Sequence, residues 1–134
     1  MAQRSWVYVG GRANKKVPPL EKIAITMACE ALIASYLKPA AMPTTIPKDH
    51  NYPIDVYGKW LGNKYRFLIR MKTVFENSTV PEFDWPVARL EYVAHDRFDL
   101  SWHRHTGEWR TVFEDIPLAE ALRLIETEPY FRTF

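Results

Sequence analysis

A single cysteine, Cys29, stands in 134 residues, so no internal disulfide is available to hold the chain. Its place inside an apolar helical stretch gives it the role of a small buried hydrophobe, as expected in a reducing compartment. Long apolar runs are missing too. Nothing approaches the roughly eighteen apolar residues of a membrane span, and the opening "MAQRSWVYVGGRANKK" has no apolar run of the length a signal peptide needs. The expectation is a cytoplasmic protein with no membrane partner. Catalytic signatures are equally scarce. Ser101 has no Gly-x-Ser-x-Gly elbow around it, and "VGGRANKK" lacks the glycine spacing and the strand-loop-helix setting of a phosphate loop. Glu76, Glu82 and Asp84 fall in a loop, where solvation accounts for them.

What the sequence does have is the material for a core. Hydrophobic residues make up 47%, aromatic residues 14% and charged residues 25%, a profile far from that of disordered chains and suited to one domain of ordinary size. Net charge is only +2, but it is unevenly spread. Residues 1–20 carry Arg4, Arg12, Lys15 and Lys16 with no acid, and residues 59–72 carry Lys59, Lys64, Arg66, Arg70 and Lys72, again with none. Acids gather near the C-terminal end in Glu114, Asp115, Glu120, Glu126 and Glu128.

Periodicity divides the rest. Residues 1–19 read as a basic arm ending in "VPP", and residues 20–134 as a single α+β domain. Leu20 to Lys38 has helical spacing, with Lys22, Thr26 and Glu30 as the polar stripe of a mostly buried helix that Pro39 stops. A proline-rich connector follows. Gly62-Asn63 then suits a two-residue hairpin turn, which sets Leu61 opposite Lys64, Trp60 opposite Tyr65 and Asp55 opposite Arg70. That register places Ile54, Val56, Trp60, Tyr65, Phe67, Ile69 and Met71 on a core face. Asp55, Tyr57, Lys59, Lys64, Arg66, Leu68, Arg70 and Lys72 go to the other.

After a loop at "ENSTVPEFD", "PVARLEYV" alternates as a third strand, with Arg89 and Glu91 on its polar side. "RFDLSW" and "EWRTVF" form strands four and five. With Thr106-Gly107 at the turn, Trp102 faces Thr111, Leu100 faces Phe113, and Trp102 and Trp109 both point into the core. Asp115 caps a last helix from Ile116 to about Thr127, with Leu118, Ala121, Leu122 and Ile125 as its apolar stripe. The strands alternate instead of reading as continuous apolar runs. The expected fold is therefore a two-layer α+β domain in the order α-β-β-β-β-β-α, an antiparallel five-stranded sheet with both helices on one face.

The runs "IDVYGKWLGNKYRFLIRMKTVF" and "PVARLEYVAHDRFDLSWHRHTGEWRTVFEDI", followed by a short helix and "ETEPYF", resemble a family of small bacterial proteins catalogued as domain of unknown function number 3024. The likeness runs from about residue 20 to 131 and includes the paired Trp102 and Trp109. The resemblance implies the fold and no particular activity. It also implies no requirement for two histidines between the tryptophans.

Two surfaces compete as the site. His103 and His105 point outward from one strand, and the same register sets Glu108 across from His105. A His-x-His pair with a carboxylate is a start toward a divalent metal site, and so toward a small metal-dependent enzyme or metal-binding protein. A surface ion pair beside a glycine turn explains the same residues without a metal. The basic hairpin face is the stronger feature. Lys59, Lys64, Arg66 and Arg70 with Tyr57 offer an exposed sheet what nucleic acid or an acidic protein surface needs. "KYRFLI" is nevertheless not an RNA-recognition motif, because Tyr65 and Phe67 face the core and the glycines of that signature are absent. The expectation is a binding domain with no cofactor and no identifiable catalytic machinery.

Overall fold

Pro19 opens helix α1 (Pro19–Leu32), at a position where a missing amide hydrogen costs nothing. The computed structural model describes residues 15–75 and 79–132, so Arg4 and Arg12 of the basic arm lie outside the described residues. Pro39 does not stop the helix. The chain widens into a π turn at Ile33–Leu37, where the Lys38 amide bonds the Ile33 carbonyl, and continues as α2 (Lys38–Ala41) with Pro39 inside its first turn. A locally wider turn relieves the clash that proline imposes on the preceding turn.

Five strands follow: β1 (Tyr52–Leu61), β2 (Lys64–Lys72), β3 (Glu82–Ala94), β4 (Arg97–His103) and β5 (Trp109–Ile116). They form one antiparallel meander in sequence order. Glu82–Asp84 belong to β3, not to the preceding loop. Helix α3 (Leu118–Thr127) and a 3₁₀ turn (Pro129–Phe131) complete the α+β domain. The core lies between the sheet and the helices. Tyr65, Phe67, Ile69, Leu90, Phe98 and Leu100 from the sheet meet Ile25, Cys29 and Leu37 from the N-terminal helices and Ala121, Ile125 and Phe131 from the C-terminal end.

The first hairpin has the expected register. Gly62, at φ +62°, takes the first central position of the turn, with Leu61 opposite Lys64 and Asp55 opposite Arg70. Asn63 anchors the turn to β3 through its amide, which donates to the Tyr92 carbonyl at 3.1 Å. One expected core residue moves. A bulge between Pro53 and Asp55 leaves Ile54 without a partner on β2, and the residue is exposed.

The second hairpin departs further. On β5 the pairing slips twice, so Leu100 still faces Phe113, but Ser101 faces Thr111, Trp102 faces Arg110 and His103 faces Trp109. The extra residue at Val112 reverses the alternation N-terminal to it. Trp109 therefore leaves the helix side, where Trp102 remains half-buried against Tyr130 at 5.5 Å between ring centroids.

Helix α1 is also less buried than its composition suggests. Lys22 and Thr26 face the sheet edge, with the Lys22 ammonium 5.2 Å from the Trp60 ring and the Trp60 indole donating to the Thr26 hydroxyl at 2.8 Å. Leu20, Ile23 and Met27 point outward and are exposed. Asp115 does not cap α3. It is the penultimate residue of β5, at φ +56°, with its amide donating to the Asp99 carboxylate, while Asp96, from the β3–β4 turn, accepts the Leu118 amide at 2.9 Å. A cap supplied from another element ties α3 to the sheet as well as satisfying an orphan donor.

Gly58 has a packing reason. A Cβ there would collide with the phenol of Tyr65, itself buried. Gly58→Ala is expected to lower stability by about 1–3 kcal/mol in urea denaturation, with part of the loss recovered in Gly58→Ala/Tyr65→Phe. An unchanged midpoint would show that the two strands do not pack as described.

Candidate functional site

On the sheet face turned away from the helices, one row of side chains crosses all five strands: Lys59, Arg66, Arg89, Ser101 and Thr111. Three cations stand side by side on β1, β2 and β3. Like charges directly opposite on neighbouring strands are unfavourable, yet Arg66 faces Arg89 with neither bonded to an acid among the described residues. Beyond them Ser101 and Thr111 share a hydrogen bond at 3.0 Å, and Ser101 is buried.

The slipped register of β5 supplies what the arginines lie on. Trp109, brought to this face, reaches back across β4 and places its ring 4.9 Å from the Arg89 guanidinium carbon and 5.7 Å from that of Arg66. Only a small residue such as Ser101 in the intervening strand leaves room for that crossing. His103 meets the same indole edge-on, at 5.0 Å between centroids. Two guanidiniums over one indole gain cation–π attraction that offsets part of their mutual repulsion. The Nε atoms of both arginines are buried without a hydrogen-bond partner. Burial lowers the proton affinity of Arg89; the Glu91 charge acts against this and the neighbouring Arg66 charge adds to it, and an arginine this basic stays charged.

Elsewhere on the expected basic face, Arg70 and Tyr57 are bonded to acids. Arg70 donates to Glu82 at 3.1 Å and to Asp84 at 3.2 Å, and the Tyr57 hydroxyl donates to Asp84 at 2.6 Å. Lys64 stands opposite Glu91 and reaches the Asn63 side-chain carbonyl at 3.3 Å. Lys59 is exposed. The structure therefore brings Lys59 and Arg66 together, sets Tyr57 and Arg70 against acids, and adds Arg89, Trp109 and His103. Arg89 was readable from the alternation of "PVARLEYV"; the position of Trp109 was not.

The histidine cluster does not assemble as the expected register proposes. His103 is engaged with Trp109, His105 lies in the turn, and Glu108 is set against Arg104, whose amide it accepts through its carbonyl at 2.8 Å. Among the described residues no group of three or more His, Cys, Asp and Glu side chains is placed to hold a metal ion. Cys29 is buried, and burial, with Glu30 adding to it, pushes its thiol up to about 12, far from the thiolate a nucleophile needs. On the helix side, a cavity of about 410 Å³ opens between the proline-rich connector and the sheet, lined by Ala41, Pro47, Tyr52, Ile69, Met71 and Trp85 among others. Its walls are largely apolar. No helix among the described residues is long and apolar enough to cross a membrane.

A family model described as "Domain of unknown function (DUF3024)" matches residues 17–133. No curated protein and no solved structure matches the chain.

A pair of opposed arginines with no bonded acid among the described residues costs the fold something. Arg89→Met, which keeps the apolar stem and removes the charge and its unpartnered nitrogen, is expected to raise stability by about 0.5 kcal/mol in urea denaturation. A loss above about 1 kcal/mol would show the pair to be structural.

Proposed function

Because the chain belongs to the DUF3024 family, described as a domain of unknown function, its role has to come from its own side chains, and we propose a small cytoplasmic binding domain that engages single-stranded nucleic acid. The contact surface in this proposal is the row Lys59, Arg66 and Arg89 with Trp109 and His103. One observation carries it: two arginines face each other across neighbouring strands with no bonded acid among the described residues, both against one indole. Phosphate oxygens supply the missing counter-charge, and a flat aromatic beside them is the platform on which unpaired bases stack. A duplex keeps its base faces stacked inside and offers only base edges and backbone.

An acidic protein surface would satisfy the charges but leave the aromatic group without a role, which is why nucleic acid is preferred. The single buried Cys29 suits the reducing cytoplasm.

Fluorescence anisotropy of labelled single-stranded oligonucleotides at low salt tests the proposal. Binding is expected in the micromolar range, tolerant of sequence, and falling steeply with salt, because each phosphate contact releases nearly one counterion. Lys59→Glu/Arg66→Glu is expected to weaken it at least about tenfold without unfolding the domain, since both side chains lie on the solvent side of the sheet. Undetectable binding at about 50 µM protein would overturn the proposal and turn attention to acidic proteins.

A further inference from the structure

Resting on that proposal, we infer that Arg66 and Arg89 act together as a clamp on a single phosphodiester, with the Trp109–His103 pair as the seat for the attached base. The two guanidiniums start from Cα partners on adjacent strands and converge on one ring, at 5.7 Å and 4.9 Å. Guanidiniums from facing residues can each donate to one of the two non-bridging oxygens of the same phosphodiester, with a planar geometry that ammonium groups do not reproduce. Their buried Nε atoms and the indole beside them hold them in place before any ligand arrives, which lowers the entropy lost on binding.

Two other arginines, Arg70 on the same sheet face and Arg123 on α3, show the contrast. Arg70 is occupied by Glu82 and Asp84, and Arg123 by Glu120, so neither is free for an outside anion. The Trp109 ring lies 4.9 Å and 5.7 Å from the two guanidinium carbons, with His103 against it at 5.0 Å between centroids. That spacing is comparable with the reach from a nucleotide's phosphate to its own base. The inferred ligand is therefore a single strand whose phosphate sits on the arginine pair and whose unpaired base lies against the aromatic pair.

The experiment compares an oligothymidylate decamer, a duplex of equal length and inorganic phosphate as ligands of the whole chain. The variants are Arg66→Lys/Arg89→Lys and Trp109→Leu, read by anisotropy and by tryptophan fluorescence. The lysine pair keeps the charge, so the salt dependence is expected to stay while affinity for the decamer falls about tenfold or more. Trp109→Leu is expected to lose similar affinity, together with most of the fluorescence quenching that the decamer causes in the unaltered chain. The duplex is expected to bind at least about tenfold more weakly than the decamer. If the lysine variant binds within about twofold of the unaltered chain, or the duplex binds as well as the single strand, the clamp is wrong while the wider nucleic-acid proposal stands. If no oligonucleotide binds, both fall. If inorganic phosphate alone binds as tightly as the decamer, the pair serves a free phosphate and the strand assignment is overturned.

Discussion

In a strand a side chain has only two directions, and one extra residue exchanges them. The architecture of this domain makes that exchange consequential, because both helices cover the same face of a single sheet. A residue on β5 is consequently either part of the core or available on the other side. The slip at Val112 sends Trp109 to that other side. With the regular pairing, Trp109 would lie under the helices, and the opposed Arg66 and Arg89 would have no flat partner to hold them. The candidate site thus depends on a local irregularity of the backbone more than on any one charged residue.

Charge is handled differently at the two ends of that face. Near the open end of the first hairpin, acids on β3 meet the cations on β2: Arg70 has two carboxylates, and Tyr57 shares one of them. In the middle of the sheet, β3 offers Arg89 where an acid would have balanced Arg66. A surface strand that needed only solubility would alternate signs or keep its cations apart. A position that breaks a local rule without a structural gain is the kind of position that function maintains. The slight stability expected from removing Arg89 follows from the same imbalance, and so does its affinity for an anion from outside.

Much of this arrangement was legible in the residues themselves. Gly62-Asn63 set the first hairpin, because only a glycine takes the positive φ of that turn without strain, and the faces of β1 and β2 followed from it with Ile54 as the one exception. The order of elements and the one-sided cover followed from alternating strands between two apolar helical stretches. What could not be read were the points where tertiary structure overrides local pattern. A bulge has no composition signature when neither residue is glycine, so neither the exposure of Ile54 nor the turning of Trp109 was visible. Pro39 reads as a stop because the π turn that accommodates it is set by packing. Asp115 looks like a cap from its place before Pro117, whereas the acceptor comes from Asp96, twenty-two residues from the amide it receives. Lys22 and Thr26 read as a solvent stripe because nothing in the sequence shows that Trp60 reaches them.

The central claim is that the arginine pair and Trp109 form one ligand-binding surface. The most direct measurement is a titration of the isotope-labelled chain with an unlabelled single-stranded oligonucleotide, observed at the side-chain Nε–H resonances of its arginines and the Nε1–H resonances of its tryptophans. The account predicts that Arg66, Arg89 and Trp109 shift together along one binding curve, while Arg70 and Arg123, held by their carboxylates, and Trp102, on the helix side, stay still. Shifts confined to Arg70, Arg123 or the helix side, with Arg66, Arg89 and Trp109 unmoved at saturation, would contradict it.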